Sequence, residues 1–301
     1  MIHRSVEITG ERRHLNKYRG FLVVSEDGRE LGRLPLDDLE VVLVSSRGMT
    51  CTASLLNELA ARSIPLVLCD QRFMPASVLW PVESHTLQSG YIQAQAKMSL
   101  PARKRLWQQL VRAKILAQAQ AACLCTGKSP PRLRHLAKAV QSGDPGNVEG
   151  EAARLYWPLL FGAQFRRDRE QDGINALLNY VYTILRAAVA RAVMRAGLHP
   201  AFSLHHCNKR DTMPLLDDLI EPFRPVADTL VFELVANTPE LPILTAEVKQ
   251  RLAGITAIDM VFEGKASPIS ESLLRMTHSL TDICMGRRRK LLLPEGLHIK
   301  E

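Results

Sequence analysis

The sequence predicts an α+β multidomain protein: a small β-rich domain over residues 1–82, a linker over 83–92 and a larger all-α domain over 93–301. Three observations lead there. At 301 residues the chain is long enough for two domains or one large one. Up to about residue 80, short β-branched runs alternate with turn-forming stretches, which suits strands. From about Leu87 the texture changes to long stretches of Ala, Leu, Gln, Lys and Arg, all good helix formers.

In chain order, Phe21-Leu22-Val23-Val24, Val41-Val42-Leu43-Val44 and Leu66-Val67-Leu68-Cys69 read as strands, and Glu26-Asp27-Gly28 as a turn. Ser54 to Ala61 reads as a helix, which stops before Ser63-Ile64-Pro65 because proline cannot continue it. Pro81 and the polar stretch Glu83 to Ser89 make the connection to the second domain. There, Gln93 to Lys97 and Arg103 to Gln120 read as helix. Ser129-Pro130-Pro131 interrupts the pattern, and so does Ser142 to Asn147. A long helical pattern covers Asp172 to Ala196. There is no internal repeat and no low-complexity tract.

With 46% hydrophobic and 23% charged residues, the composition is that of a folded protein and excludes disorder on a large scale. Lys and Arg number 39 against 31 Asp and Glu, a net charge of +8 that attracts phosphate backbones or other anionic surfaces. The six cysteines form neither a regular disulfide framework nor a C-x-x-C pair. The first residues, Met-Ile-His-Arg-Ser-Val-Glu, lack the apolar stretch of a secretory signal. No uninterrupted apolar run approaches the roughly 20 residues of a membrane helix. The expectation is a cytoplasmic protein with reduced thiols.

Three separated positions from the middle of the chain onward could carry chemistry: Glu149, His206 and Glu221. One imidazole and two carboxylates suit a divalent metal ion. Glu149 follows a turn and falls in the first turn of a new helix, on the face that continues through Ala152 or Ala153, Tyr156 and Leu160. Spacing leaves two readings open there: an acid at the edge of a core, or a charge that complements the helix dipole. Glu151 points elsewhere and reads as a surface charge. Asp211-Thr212-Met213-Pro214 resembles a helix start, with Asp211 or Thr212 as the cap. On that helix Asp217, Asp218 and Glu221 share a stripe opposite Leu215, Leu216, Leu219 and Ile220. Three acids so placed repel unless a metal, or a neighbouring cation such as Arg224, sits among them. His205 and His206 lie in a loop, and their spacing to the cysteines is not that of a known zinc module. Arginine-rich clusters at 132–135, 166–169 and 287–290 are candidates for phosphate contact, notably Arg166, Arg167, Arg287, Arg288 and Arg289.

Four segments carry a resemblance to a known family. They are Asp144-Pro145-Gly146-Asn147-Val148-Glu149-Gly150-Glu151-Ala152-Ala153-Arg154-Leu155-Tyr156, Asp172 to Tyr182, Gly197-Leu198-His199-Pro200 through His205-His206-Cys207-Asn208, and Asp218-Leu219-Ile220-Glu221-Pro222-Phe223-Arg224-Pro225. In order and spacing the chain resembles the CRISPR-associated adaptation integrases, the "Cas one" family, with details closest to members that accompany type II systems. The resemblance covers essentially the whole chain.

The resemblance implies that Glu149, His206 and Glu221 are the catalytic, metal-binding residues, with His206 matching the family histidine better than His205 does. It places Asp218 nearby as a second-rank acid. It further implies that Asn175, Asn179 and Tyr180 help shape the site, although their apolar neighbours suit a structural role equally. Val181 stands where the family usually has Gly, which bears on helix packing. By the same resemblance residues 1–82 form a dimerisation domain and 93–301 a catalytic domain. The protein forms homodimers, and two dimers flank a dimer of a small second adaptation protein in a heterohexamer. The implied activity is that of an endonuclease and integrase using Mg²⁺ or Mn²⁺. The 3′-hydroxyl of a captured double-stranded DNA fragment attacks a phosphodiester at the edge of a CRISPR repeat. Two rival readings remain at this level: a non-catalytic DNA-binding scaffold, and a generic metal-dependent phosphodiesterase.

Overall fold

A computed structural model of the protein describes residues 4–70, 75–206, 212–237 and 243–298. The N-terminal part holds β1 (Arg4–Ile8), β2 (Arg13–Tyr18), β3 (Phe21–Glu26), β4 (Arg29–Pro35), β5 (Leu39–Val44), β6 (Thr50–Cys51), α1 (Ala53–Ala61), β7 (Leu66–Cys69) and β8 (Pro75–Val78). They form two four-stranded sheets, one ordered β4-β3-β2-β6 and the other β1-β5-β7-β8. Strands β3 and β4 are joined by Asp27 and Gly28, both at positive φ (47° and 80°), the combination a tight hairpin turn requires.

Strand β5 explains how this part meets the rest. All six of its residues are buried, as expected of a strand covered on both faces and paired in parallel with β1 and β7. Val42 and Val44 face a small core with Leu15, Leu22, Leu55 and Leu59. Val41 and Leu43 join the large core of the helical part. The β1-β5-β7-β8 sheet is thus a wall shared by two cores.

The second part contains α2 (Gln88–Ala96), α3 (Leu100–Thr126), α4 (Pro131–Ala139), α5 (Val148–Phe161), α6 (Ile174–Arg195), α7 (Pro214–Ile220), α8 (Arg224–Ala236), α9 (Ala246–Ala253) and α10 (Ile269–Cys284). Helix α2 begins inside the stretch read as linker, and its Tyr91 is buried. The architecture is the expected β-rich head and helical body, with one addition. Strands β9 (Asp259–Phe262), β10 (Lys265–Pro268) and β11 (Gly296–Leu297) form an antiparallel sheet ordered β10-β9-β11.

Helix α6 runs through the middle of the core. It is apolar and long enough to cross a membrane, but 83% of its most apolar window is buried within the protein, which marks it as a core helix. Val181, at the position noted for Gly, is fully buried on it.

A polar knot pins the two parts together. The Glu7 carboxylate on β1 accepts from the Tyr180 hydroxyl of α6 at 2.7 Å and pairs with the Lys249 ammonium of α9 at 3.0 Å. Ser45 Oγ also donates to it. Tyr180 therefore ties the first strand to the core helix, and burial followed by the Glu7 contact pushes its phenol well up.

Candidate active site

The Asp144–Asn147 turn sets the position of Glu149. The Asp144 carboxylate accepts from the backbone N–H groups of Val148 and Glu149, each at 3.0 Å, and the Asn147 side chain accepts from Gly150 at 3.1 Å. A side chain at Gly150 would press its Cβ within 2.7 Å of the Asn147 amide, so this cap needs glycine there. Three of the four orphan N–H groups of the new helix are satisfied in this way. The face read from the sequence is buried at Ala152, Tyr156 and Leu160, and Glu149 stands at its start. Glu151 faces outward beside Arg132.

Glu221 opens a 3-10 turn, Glu221–Phe223, where Pro222 bends the chain between α7 and α8. It is only 3% exposed. Helix α3 brings the cation that makes this tolerable. The Lys114 Nζ lies 2.5 Å from Glu149 Oε1 and forms an ion pair with Glu221 Oε2. Arg224 Nε lies 3.1 Å from Glu221 Oε1. Neither Glu221 Oε2 nor Arg224 Nε meets hydrogen-bond geometry, although both are at ion-pair distance and out of solvent. Burial opposes the charge on Glu221, but Arg224 and then Lys114 outweigh it and hold the carboxyl below its usual range. Burial likewise works against the Lys114 ammonium and is outweighed by Glu221 and Glu149, which raise it.

The stripe of three acids is resolved residue by residue. Asp217 pairs with Arg186 at 3.0 Å. Asp218, fully buried, accepts from the backbone N–H groups of Leu204 (2.6 Å), His205 (3.1 Å) and His206 (3.1 Å). It also binds His206 Nδ1 at 2.7 Å. Helix α7 is buried almost all round, so these acids do not form a solvent face opposite the leucines. Its N-cap is Met213, without a capping side-chain bond, rather than Thr212; Asp211 lies outside the described residues.

Of the two adjacent histidines, His206 is the one bonded to Asp218. With Nδ1 on Asp218, its other ring nitrogen is left to a ligand. The Asp218 bond raises its pKa against burial, and Glu221 and Glu149 add to the effect. His205 instead lies flat on Trp107, with ring centroids 4.4 Å apart and planes 2° off parallel. Trp107 meets His206 edge-on at 5.3 Å. Trp107 and Lys114 are seven residues apart on α3, hence on one face, and sequence reasoning missed both. The available signal was a lysine on a helix face otherwise marked by Leu110, Val111, Ala117 and Gln118. Among the described residues no three His, Cys, Asp or Glu side chains form a ready-made metal cage, and Lys114 pairs with both glutamates.

Beside Glu221 opens a cavity of about 440 Å³ lined by Arg167, Arg169, Arg186, Arg224, Tyr182 and Asn179 among others. Asn175 and Asn179 aim this arginine loop. They accept from Arg167 at 3.0 and 2.6 Å and donate to the carbonyls of Arg166 and Arg169. Arg166 itself folds back on the carbonyls of Ala163 and Phe165. Arg287, Arg288 and Arg289 are exposed beyond the end of α10 and do not line the cavity. The guanidiniums of Arg224 and Arg167 sit 4.8 and 5.4 Å from the Tyr182 ring centroid.

Beneath the cavity, the buried Asp228 accepts from Tyr156 at 2.9 Å and from Tyr182. Burial pushes Asp228 up to about 6, despite the two hydroxyls and Arg224. An acid raised in the folded state costs stability at neutral pH, and the cost is relieved as pH falls through about 6. Asp228→Asn is therefore expected to stabilise the protein at about pH 8 by on the order of 2 kcal/mol, a gain that fades by about pH 4. Urea denaturation at both pH values checks this, and an equal difference at the two would contradict it.

Residues 6–239 match the family described as CRISPR associated protein Cas1. The chain is 37% identical to the CRISPR-associated endonuclease Cas1 of Neisseria meningitidis over 290 residues, 95% of this chain and 94% of that one. A relative from Pyrobaculum aerophilum, also called a CRISPR-associated endonuclease Cas1, is 29% identical over 78% of this chain and 83% of its own. Two solved structures share the fold at low identity. A casposase bound to integration product superposes with a TM-score of 0.77 at 18% identity, covering 97% of this chain and 92% of that one. A Cas1 protein from Thermotoga maritima gives 0.74 at 17%, covering 99% and 100%. With the family matched over most of its length and a close relative matched nearly end to end, this chain belongs to the Cas1 family of CRISPR-associated proteins.

Proposed function

We propose that this protein is a metal-dependent DNA endonuclease and integrase that inserts DNA fragments into a CRISPR array. The observation that carries the reading is the pairing of Glu149 and Glu221 on Lys114, with His206 held by Asp218 and edge-on to Trp107 on the same face of α3, next to Arg224, which lines an arginine-rich cavity. The donor set fits Mg²⁺ or Mn²⁺: two carboxylates and an imidazole oriented by Asp218, with the buried Glu221 Oε2 held by the Lys114 ion pair and no hydrogen bond of good geometry. A bound divalent ion would polarise the phosphate under attack and offset the charge on the leaving oxygen.

The remaining work falls to the chain's own side chains. Arg167, aimed by Asn175 and Asn179, and Arg224, stacked on Tyr182, grip phosphate oxygens in the cavity. Asp218 holds His206 in one tautomer and orientation. The incoming 3′-hydroxyl oxygen bonds to the phosphorus at the repeat edge as the existing 3′-oxygen bond breaks, which exchanges one phosphodiester for another. Water in place of the hydroxyl gives cleavage.

The partners follow from the relatives. Structures of matching fold include a casposase bound to integration product, a Cas6-RT-Cas1–Cas2 complex and a Cas1–DNA complex. These neighbours support DNA and the small second adaptation protein as partners; the double-stranded form of the DNA, the homodimer built on the N-terminal part, the heterohexamer and the cytoplasmic setting belong to the reading through the family resemblance alone.

The test is strand transfer of a short duplex with free 3′-hydroxyls into a plasmid carrying a leader and repeat, with Mg²⁺ or Mn²⁺ against EDTA. Glu149→Gln is expected to lower joining by at least about a hundredfold while DNA binding persists. Tight binding without joining under any metal would favour the scaffold. Turnover of small nucleotides with indifference to the repeat would favour the phosphodiesterase.

A further inference from the structure

Lys114 occupies the place between Glu149 and Glu221 that a cation must take, and its side chain is only 12% exposed. We infer that Lys114 is a built-in competitor for the divalent metal, so that metal loading and DNA-phosphate binding are coupled; this rests on the metal reading above. The argument is one of charge. Around the site stand the carboxylates of Glu149, Glu221 and Asp218 against the cations of Lys114 and Arg224, leaving one negative charge while His206 is neutral. A divalent ion between the two glutamates turns this to one positive charge and strips Lys114 of both its partners.

A largely buried ammonium without an anion is costly, and Arg224, which shares Glu221 with it, adds repulsion. An arriving phosphodiester supplies the missing anion. The free protein therefore holds metal weakly, and DNA strengthens the hold. Lys114 in this role keeps the metal-loaded, cleavage-competent centre scarce until a substrate phosphate is in place.

The experiment measures Mn²⁺ binding to the full chain by the paramagnetic resonance signal of free Mn²⁺, at fixed neutral pH, with and without a short duplex. Wild type, Lys114→Met, Lys114→Gln and Glu149→Gln are compared. The duplex is expected to tighten Mn²⁺ binding to wild type by about tenfold. Lys114→Met is expected to bind Mn²⁺ alone about tenfold more tightly than wild type, with the duplex effect much reduced. In EDTA it should melt below wild type and recover with Mn²⁺, because the metal replaces the lost counter-ion. Should the methionine variant not fold, Lys114→Gln, polar but uncharged, reads the same shift.

If both Lys114 variants bind Mn²⁺ no more tightly than wild type while Glu149→Gln abolishes binding, the competition is wrong and the metal site stands. If nothing binds Mn²⁺ and Glu149→Gln changes nothing, the metal reading itself falls and takes this inference with it.

Discussion

Asp218→Ala is expected to cost about 3 kcal/mol in urea denaturation and to lower metal affinity by about 10- to 100-fold. The fully buried carboxylate gathers three backbone N–H groups and the His206 ring, so its removal orphans four donors at once. Each orphan would cost about 1–3 kcal/mol if it stayed dry, but the loop can take up water, since the His206 side chain is 39% exposed. The total therefore falls short of the sum. Strand transfer should fall as far as in His206→Ala, because Asp218 acts through that ring. The His206 pKa is raised, so the stability from this pair is complete below its ordinary 6.5 and is lost as pH rises through the higher folded value. The gap between wild type and Asp218→Ala should narrow above that range. An Asp218→Ala protein that transfers strands far better than His206→Ala would overturn this account.

Glu221→Ala is expected to lose strand transfer and about 3–5 kcal/mol of stability together. Glu221 shields two cations, Lys114 and Arg224, whose side chains are 12% and 18% exposed. Alanine leaves Arg224 without its glutamate and Lys114 with Glu149 alone. Because the Glu221 pKa is lowered, its contribution is present above the ordinary 4.5 and disappears as pH falls through the folded value. Thermal melts of wild type and Glu221→Ala should therefore converge in acid and separate near neutrality. Equal melting temperatures at neutral pH would mean the ion pairs contribute nothing net.

Much of this was legible in the chain because strong local signals agree with the fold. The runs at Phe21, Val41 and Leu66 became β3, β5 and β7, and the Asp172–Ala196 pattern became α6. Strand β2, with Arg13, His14, Asn16 and Lys17, has too little apolar content to announce itself. Strands β9 and β10 have four residues each and are held by a core that local reading cannot see. At the site, Glu149, His206 and Glu221 came from ordered motifs. Lys114 and Trp107 did not, because each meets its partners across distant stretches of chain; Lys114 and Glu149 are 35 residues apart. The two asparagines were noted as shaping the region, yet their work of holding Arg167 depends on where the 166–169 loop returns in space.

The Glu7 knot constrains how the protein is born. Glu7 leaves the ribosome 173 residues before Tyr180 and 242 before Lys249. Throughout that interval the first strand has an acid destined for burial and, beyond the Ser45 hydroxyl, neither of the partners that hold it across the two parts. The N-terminal sheet also lacks α6, against which Val41 and Leu43 close. The nascent β-rich head is therefore an unfinished structure, not an early-maturing module, and its exposed valines are covered only when the second half arrives. High sequence separation of this kind slows folding and favours unfolding of both halves as one unit.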